Sequence, residues 1–383
     1  MTGKRFFVIP VALLLIALLV LSVTSQREIM FIAKLVVLII VTVSVSLPVL
    51  VRLYGLKKTK KIFVNALLLL VTTVAGLATA ELAIRLAYSD VSTTGDNTSY
   101  FARRWREMNP PFLNRFGFRE RDYAGNKPAN TFRIAVVGDS FTYGQGILVS
   151  DRFTNIVERT AECEASGLEV LNFGRPGSQT VDQTGFLDDY VFDSSPDFIL
   201  LQWYTNDVEG RERFKYSHYP LIPSSYLTGL LHRYSGLYYL VNRQWVRLQR
   251  RLGLLESYDH YMMRRFGDPD SADSRKAIGE FEEFIKRSVD RNIPVGVVMF
   301  PSLVETGGSM DAYPYDFLFD RMLSVCHRYS VQCLDLRHVY VNIEPARKLW
   351  ASRLDAHPGA LANRIAAEEI IRLFRPEWEK QGC

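Results

Sequence analysis

Residues 134–144 read Ile134-Ala135-Val136-Val137-Gly138-Asp139-Ser140-Phe141-Thr142-Tyr143-Gly144. The first four are apolar and mostly β-branched, which is typical of a strand buried on both faces. The Gly-Asp-Ser that follows is typical of a tight turn, and it places the Ser140 hydroxyl at the carboxyl end of that strand. Ligands of open α/β sheets bind at this edge. The sequence therefore predicts a site at Ser140.

Similar short apolar runs recur along the chain from residue 131, with helical patterns between them. Strands are predicted at 132–137, 169–173, 198–203, 295–300 and 333–336. Helical patterns lie between them, near 151–163, 180–192, 274–290, 312–328 and 359–374. Asp151 is a candidate cap for the first helix, and Ser271 or Asp273 for the third. Strands that alternate with helices predict a three-layer α/β/α sandwich with a central parallel sheet.

The N-terminal region differs from the rest in carrying long apolar runs, at about 6–23, 32–51 and 62–80. Each approaches the roughly 20 residues that a helix needs to cross a bilayer. A signal peptide is disfavoured for the first run, because it is long, has no clear small-residue cleavage site and is followed by two more. We expect a membrane anchor with three transmembrane helices over 1–87, a polar connector over 88–130 and a domain over 131–383 with an insertion at about 208–272.

The net charge of +5 is unevenly distributed along the chain. Residues 1–61 hold nine basic groups and one acidic group, which leaves 37 basic against 40 acidic groups in the remainder. The basic excess therefore belongs to the anchor and not to a nucleic-acid-binding surface. The positive-inside rule places the N-terminus and the second loop in the cytoplasm. The predicted location is a bacterial inner membrane, with the domain extracytoplasmic or periplasmic and the lipid bilayer as one partner.

All four cysteines lie in the portion predicted to be exported, where disulfides persist. Cys326 and Cys333 are predicted to flank a helix-to-strand turn, so they either form a bridge or remain free buried thiols. The sequence shows no CxxC pair or His/Cys cluster, and we predict no metal site.

Two charged features remain open to more than one interpretation. Glu81 and Arg85 are four residues apart at the end of the third apolar run, which predicts a pair on one helix face or a functional pair inside the membrane. Residues 230–255 form a basic, aromatic, amphipathic stretch. This stretch is interpreted as a surface helix with a solvated basic face, as a lid, or as a helix resting on anionic lipid headgroups.

A second chemical motif, Asp355-Ala356-His357, lies more than 200 residues after Ser140. A serine hydroxyl becomes an effective nucleophile only beside a base, and the base needs a group that fixes its tautomer. His357 is the candidate base and Asp355 the candidate orienting acid. The pair is predicted on a loop that enters the last helix.

The oxyanion of an acyl-transfer intermediate needs hydrogen-bond donors as well. Residues 172–177 follow the second predicted strand, and the backbone N–H of Gly177 or of its rival Gly174 is a candidate donor. Asn206 follows the third strand and offers a side-chain amide. Asp139 and Asn172 are expected to brace their loops.

Together these blocks resemble those of the SGNH/GDSL hydrolase superfamily over about 131–376, and the resemblance implies a flavodoxin-like fold. It implies that Ser140 is the nucleophile, with Asp355 and His357 as acid and base. It implies an oxyanion hole made of the Ser140 N–H, Gly177 and Asn206. The segments 114–119 and 131–134 also look like those of membrane-anchored bacterial members. One departure is Tyr204, where the third block usually has glycine, and this change is expected to narrow or reshape the acyl pocket.

The resemblance implies a serine-dependent acyl-ester hydrolase without a cofactor, acting on an acylated small molecule or an envelope glycan. One alternative is an O-acetyltransferase that modifies a surface polysaccharide and receives acyl groups from a membrane acyltransferase partner. Another is a non-catalytic glycan-binding or scaffold protein.

Overall fold

The computed structural model describes residues 26–92, 98–125, 127–163, 167–210, 214, 220–304, 313–341, 343 and 345–383. The chain divides into two compact units, one up to Ala80 and one over Glu81–Cys383. The first predicted membrane run, 6–23, lies outside the described residues.

The described part of the N-terminal region contains one long helix, α1 (Gln26–Ala87), which is interrupted at Gly55 (φ 74°). The second predicted loop, residues 52–61 between the runs 32–51 and 62–80, was wrong. Apart from Gly55 these residues are helical, because the segment is rich in lysine and lacks proline. The second predicted run, 32–51, has helical backbone. Among the described residues, Lys60–Ala87 is the one helix long and apolar enough to cross a membrane, judged by length and composition.

The second unit is built on a parallel sheet of five strands, in the order β2-β1-β3-β4-β5. The strands are β1 (Thr131–Gly138), β2 (Gly167–Gly174), β3 (Phe198–Tyr204), β4 (Val295–Phe300) and β5 (Gln332–Asp335). All five predicted strands are confirmed, because fully buried parallel strands are continuous apolar runs. The strand order reverses at β1, which has β2 on one side and β3 on the other.

Helices precede, connect and follow these strands. They are α2 (Tyr100–Met108), α3 (Ser140–Tyr143), α4 (Phe153–Thr160), α5 (Thr180–Phe186), α6 (Ser225–Tyr234), α7 (Gly236–Arg251), α8 (Tyr258–Phe266), α9 (Ala272–Asp290), α10 (Asp316–Arg328), α11 (Arg337–Tyr340) and α12 (Ala360–Lys380).

Alternate residues of the strands enter two separate hydrophobic cores, one on each face of the sheet. Val137 and Leu201 pack with α5, α9 and α10 on one face. Val136 and Leu200 pack with α4 and α12 on the other. The predicted three-layer α/β/α sandwich is therefore confirmed for the second unit.

One predicted helix cap is wrong and one is confirmed. The cap position of α4 is Arg152, and no side chain bonds there; Asp151 lies in the preceding 3₁₀ turn. The Arg152 guanidinium is buried and bonds to Asn155 instead, at 2.8 Å, which fixes the entry to α4. Ser271 caps α9 by accepting from the backbone N–H of Ser274.

The second unit contains two disulfides, one between a helix and a strand and one between two segments that follow helices. Cys326 near the end of α10 is bonded to Cys333 in β5, as one interpretation of the sequence predicted. Cys163, just after α4, is bonded to Cys383 at the C-terminus. This second bridge spans 220 residues and was not predicted, because nothing in the spacing of the cysteines points to it.

The basic stretch 230–255 is not one helix. It is divided between α6 and α7, with the break at Ser235, whose hydroxyl accepts from the backbone N–H of Tyr238 and caps α7. Glu81 and Arg85 form an ion pair of 2.7 Å and both bond to this break. The pair therefore acts between chain segments and not only along its own helix face.

Candidate active site

Ser140 lies directly beyond the carboxyl end of β1, as predicted, and begins the short helix α3. Asp139 Oδ1 accepts a hydrogen bond of 2.8 Å from the Phe141 N–H and caps that helix. Gln202 on the neighbouring strand β3 accepts from the N–H groups of Asp139 and Thr142 and from the Thr142 hydroxyl. The turn that carries Ser140 is thus held between β1 and β3. These are neighbouring strands at the point where the strand order of the sheet reverses.

Asp355 and His357 lie on a short strand and not on the predicted loop. β7 (Asp355–Pro358) pairs antiparallel with β6 (Trp350–Ser352), with Trp350 opposite Pro358. Residues i and i+2 of a strand point to the same face, so the strand presents both side chains to one side. The sequence signal was weak because a strand of four residues is too short to show a period.

The three predicted residues are brought together. His357 Nδ1 lies 2.6 Å from Asp355 Oδ1, and His357 Nε2 lies 2.9 Å from Ser140 Oγ. An ionised carboxylate only accepts hydrogen bonds, so Nδ1 carries the proton and donates to Asp355. Nε2 of the neutral ring then accepts from the Ser140 hydroxyl. All three side chains are buried, with exposed fractions of 7% for Ser140, 0% for Asp355 and 7% for His357.

The electrostatics of the pair favour an ionised acid beside a histidine that readily takes a proton. Burial alone would lower the pKa of His357, but the charge of Asp355 and its hydrogen bond outweigh burial and raise this pKa above its usual value of about 6.5. Burial alone would raise the pKa of Asp355. The charge of His357 and the hydrogen bonds from His357 and Ser92 lower it below its ordinary value.

One of the two candidate glycine donors, Gly174, is already engaged. Its N–H already donates to Asn172 Oδ1 at 2.9 Å. The loop that contains Gly177 is tied to the end of β1, because the Arg175 N–H and the Ser178 hydroxyl both donate to the Gly138 carbonyl. Gly177 therefore lies at the same sheet edge as Ser140.

Asn206, the third predicted donor, lies in a 3₁₀ turn (Thr205–Glu209) that directly follows β3. Its amide oxygen is buried and has no hydrogen-bond partner among the described residues. The next residue, Asp207, holds the turn by accepting from the Tyr204 N–H and from Gln183. Buried amide groups are normally satisfied, so this unpartnered acceptor is a candidate contact for a donor group of a ligand, whereas the predicted donor to the oxyanion is the Asn206 Nδ2 group.

Asp139 and Asn172 brace their loops, as predicted. The Asn172 amide donates to the Thr142 carbonyl at 2.6 Å and to the Thr154 hydroxyl at 3.0 Å. This places the end of β2 against α3, and Gly174 is required there: a Cβ would lie 2.3 Å from the Tyr143 backbone nitrogen.

Sequence reasoning missed three residues that hold this site. Gln202 is a polar residue inside an apolar strand, and that contrast is a usable signal. Arg119 donates to the carbonyls of Gly144 and Ile147, which follow α3. Ser92 donates to Asp355 Oδ2 at 2.6 Å, and it lies in the polar connector, where no pattern points to it.

A pocket of about 150 Å³ lies near the site, and its lining includes Ser92, which bonds to Asp355, and Arg119, which bonds to the turn after α3. Its walls come from the connector helix α2 and its end, from the turn after α3 and from the loop before Gly177. The lining side chains include Trp105, Arg106, Asn109, Gln145 and Pro176. This pocket was not predicted, because it depends on the connector folding back over the sheet edge.

Aromatic rings lie beside the reactive groups. The Tyr204 ring centroid is 4.3 Å from that of Phe141, which follows Ser140 directly, and the Phe141 ring lies 5.5 Å from the His357 ring. Tyr204, which was expected to narrow or reshape the acyl pocket, thus contacts the neighbour of Ser140. Across the part of the chain that the structure describes, no cluster of three or more His, Cys, Asp or Glu side chains could hold a metal ion.

Comparison with protein-family models and with curated proteins gives no match for this chain. Solved structures similar to it include an acetylxylan esterase from Geobacillus stearothermophilus (14% identity, TM-score 0.40, 64% of this chain and 95% of that one). A lipase/acylhydrolase from Enterococcus faecalis (13%, 0.38, 64% and 96%) and the psychrotrophic esterase EstA from Pseudoalteromonas sp. (11%, 0.39, 65% and 99%) are also similar. All three TM-scores are below 0.5.

Proposed function

We propose that this chain is a serine-dependent acyl-ester hydrolase. The observation that carries the proposal is the unbroken contact from Ser140 Oγ through the His357 ring to the Asp355 carboxylate, at 2.9 and 2.6 Å. This is the geometry that an activated serine requires: a base in hydrogen-bond reach and an acid that fixes the tautomer of the base.

The reaction follows from that geometry. Ser140 Oγ attacks the ester carbonyl carbon while its proton passes to His357 Nε2, and Asp355 stabilises the imidazolium. The tetrahedral intermediate collapses, the alcohol leaves with the proton from His357, and the acyl group remains on Ser140. Water then attacks the acyl-enzyme and gives a proton to His357. The second tetrahedral intermediate collapses, the acid is released, and His357 returns the proton to Ser140 Oγ. The Ser140 N–H, Gly177 and the Asn206 amide are the proposed donors to the oxyanion.

The proposed substrate is an acylated glycan with a small acyl group. The pocket beside the site combines the Trp105 ring with the amides of Asn109 and Gln145, and this set suits the apolar face and the hydroxyls of a sugar. Tyr204 against Phe141 fills space beside Ser140, which favours acetyl over longer chains.

The proposed location is the outer face of a bacterial inner membrane. The helix Lys60–Ala87 and the two disulfides of the second unit support an anchored domain outside the cytoplasm. Protease added to spheroplasts that express the full chain should digest residues 88–383. Protection of these residues until the membrane is lysed would contradict the location.

The test of the activity is turnover of a chromogenic acetyl ester by the full chain and by Ser140→Ala. Loss of the nucleophile should reduce kcat about 10³-fold or more. Ser288→Ala is the matched control: it removes another buried hydroxyl, bonded to the Phe284 carbonyl in α9, and should retain full turnover.

Equal turnover by the folded Ser140→Ala protein would overturn the hydrolase and favour the non-catalytic glycan-binding hypothesis. Oligosaccharides added to the same assay show whether the acyl group passes to water or to a sugar hydroxyl. Acyl transfer to a sugar hydroxyl, in place of release as free acid, would favour the O-acetyltransferase and its membrane acyl-donor partner.

A further inference from the structure

The Asp355 carboxylate is held from both ends. Oδ1 accepts from the ring and the backbone N–H of His357, at 2.6 and 3.1 Å. Oδ2 accepts from the Ser92 hydroxyl at 2.6 Å. A carboxylate bonded only at Oδ1 would be free to rotate about its Cβ–Cγ bond. The contact with Ser92 therefore sets the plane in which Asp355 meets the histidine.

Ser92 is itself enclosed and has little freedom to move. Its exposed fraction is 3%, and its carbonyl accepts from the Ser352 hydroxyl at 3.0 Å. Gly146 faces it, and a Cβ at that position would lie 2.5 Å from Ser92 Oγ and 2.8 Å from Asp355 Oδ2. Gly146 also has a φ of +79°, which favours glycine. The space around this hydrogen bond is thus closed on several sides.

The segment that carries Ser92 begins at the start of the second unit. We call residues 81–92 the helix-exit segment. Near its start, the Glu81 carboxylate accepts from the Ser235 hydroxyl and from the N–H groups of Gly236 and Leu237, which caps α7. Arg85 donates to the Tyr234 carbonyl at the end of α6, at 2.7 Å.

α7 in turn reaches the residue next to the acid. Arg243 on α7 donates to the Leu354 carbonyl at 3.3 Å. The Leu354 side chain packs with Val91 and Phe101 in a small separate core. The chain before Asp355 is therefore fixed by the helix-exit segment at Ser92 and by the helix that the same segment caps.

We propose that Ser92 is a positioning residue for the Ser140–His357–Asp355 triad, and that the helix-exit segment is part of the active-site architecture and not only a tether. The inference rests on the proposed function for its effect on rate. Ser92 forms and breaks no covalent bond. It orients the carboxylate that orients the histidine.

The test is Ser92→Ala in the full chain, with Ser288→Ala as the control for loss of a buried hydroxyl. With a small acetyl ester, kcat should fall about ten- to a hundredfold, the usual effect of losing a hydrogen bond to a charged group. KM should change little, because the small ester does not fill the neighbouring pocket. In an Asp355→Ala background the same substitution should cost nothing further, because Ser92 acts through the carboxylate. An equal cost in both backgrounds would show a general structural effect and overturn the proposal.

A second readout needs no turnover. The proton on His357 Nδ1 should give a strongly downfield NMR signal in the unliganded protein, and this signal should shift or broaden in Ser92→Ala. Ser92 lowers the pKa of Asp355, so the signal should be lost at a higher pH on acidification of the variant than of the parent. An unchanged signal and pH response would overturn the role of Ser92. Absence of Ser140-dependent turnover in the parent would overturn the hydrolase alone and leave this readout valid.

Discussion

The two sides of the site are held in place by different parts of the chain. The nucleophile Ser140 is fixed by its own turn and by the adjoining strands, through Asp139, Gln202 and Gly174. The acid Asp355 is fixed by Ser92, 263 residues earlier, and through Leu354 by the insertion helix α7. The nucleophile side is therefore encoded mainly in a compact motif and its sheet, with one support from the connector through Arg119, whereas the base side depends on segments outside the sheet.

This contrast predicts that activity depends strongly on the negative charge of Asp355. Asp355→Asn should retain the fold, reverse the preferred histidine tautomer and lower kcat about 10³- to 10⁴-fold. The charge of Asp355 raises the pKa of His357, so its loss should lower that pKa. Because the base must be neutral, the acid limb of kcat/KM should move to lower pH, which the pH profile of residual turnover measures.

The matched control is Asp188→Asn, which removes a carboxylate from an exposed ion pair with Arg287. It should leave the rate and the acid limb unchanged. A loss of less than tenfold in Asp355→Asn, or an acid limb that moves to higher pH, would show that Asp355 does not orient the base.

On the nucleophile side, the largest backbone effect is expected at Gly174. A Cβ there would lie 2.3 Å from the Tyr143 nitrogen and 2.6 Å from the Thr142 carbonyl carbon, so Gly174→Ala must displace the helix that carries Ser140. The free energy of unfolding should fall by about 1–3 kcal/mol, the usual cost of overpacking. kcat should fall by up to about 10²-fold through misplacement of the nucleophile.

Gly185→Ala provides the control for that substitution. Gly185 lies in helix α5, and a Cβ there would meet nothing within 4 Å. The alanine should stabilise the protein slightly, because glycine is the poorer helix former. Denaturant melts of both variants check the prediction, and equal stabilities would show that the close approach of β2 to α3 is not a constraint.

The same contrast explains how far the sequence could predict the molecule. The strands, Ser140 and its loop partners follow from apolar runs and from residues at strand ends, because a buried parallel sheet leaves a continuous signal. Asp355 and His357 were identified as a pair, but their strand was missed. Ser92, the Cys163–Cys383 bridge and the helix break at Ser235 were missed because they depend on contacts between segments that no local period records.

The smallest expected effect concerns the connector on the base side, where α2 lines the pocket. Trp105→Ala should raise KM for an acetylated oligosaccharide about three- to tenfold, the effect of losing one aromatic contact, and leave kcat for a small acetyl ester unchanged. Trp245→Ala, a half-buried tryptophan of α7 outside the pocket lining, should change neither value. If Trp105→Ala instead lowers turnover of both substrates equally, the connector supports the site only by holding Asp355. A rise in KM for the oligosaccharide alone would show that the connector has two roles. Ser92 orients Asp355, and Trp105 contacts the sugar.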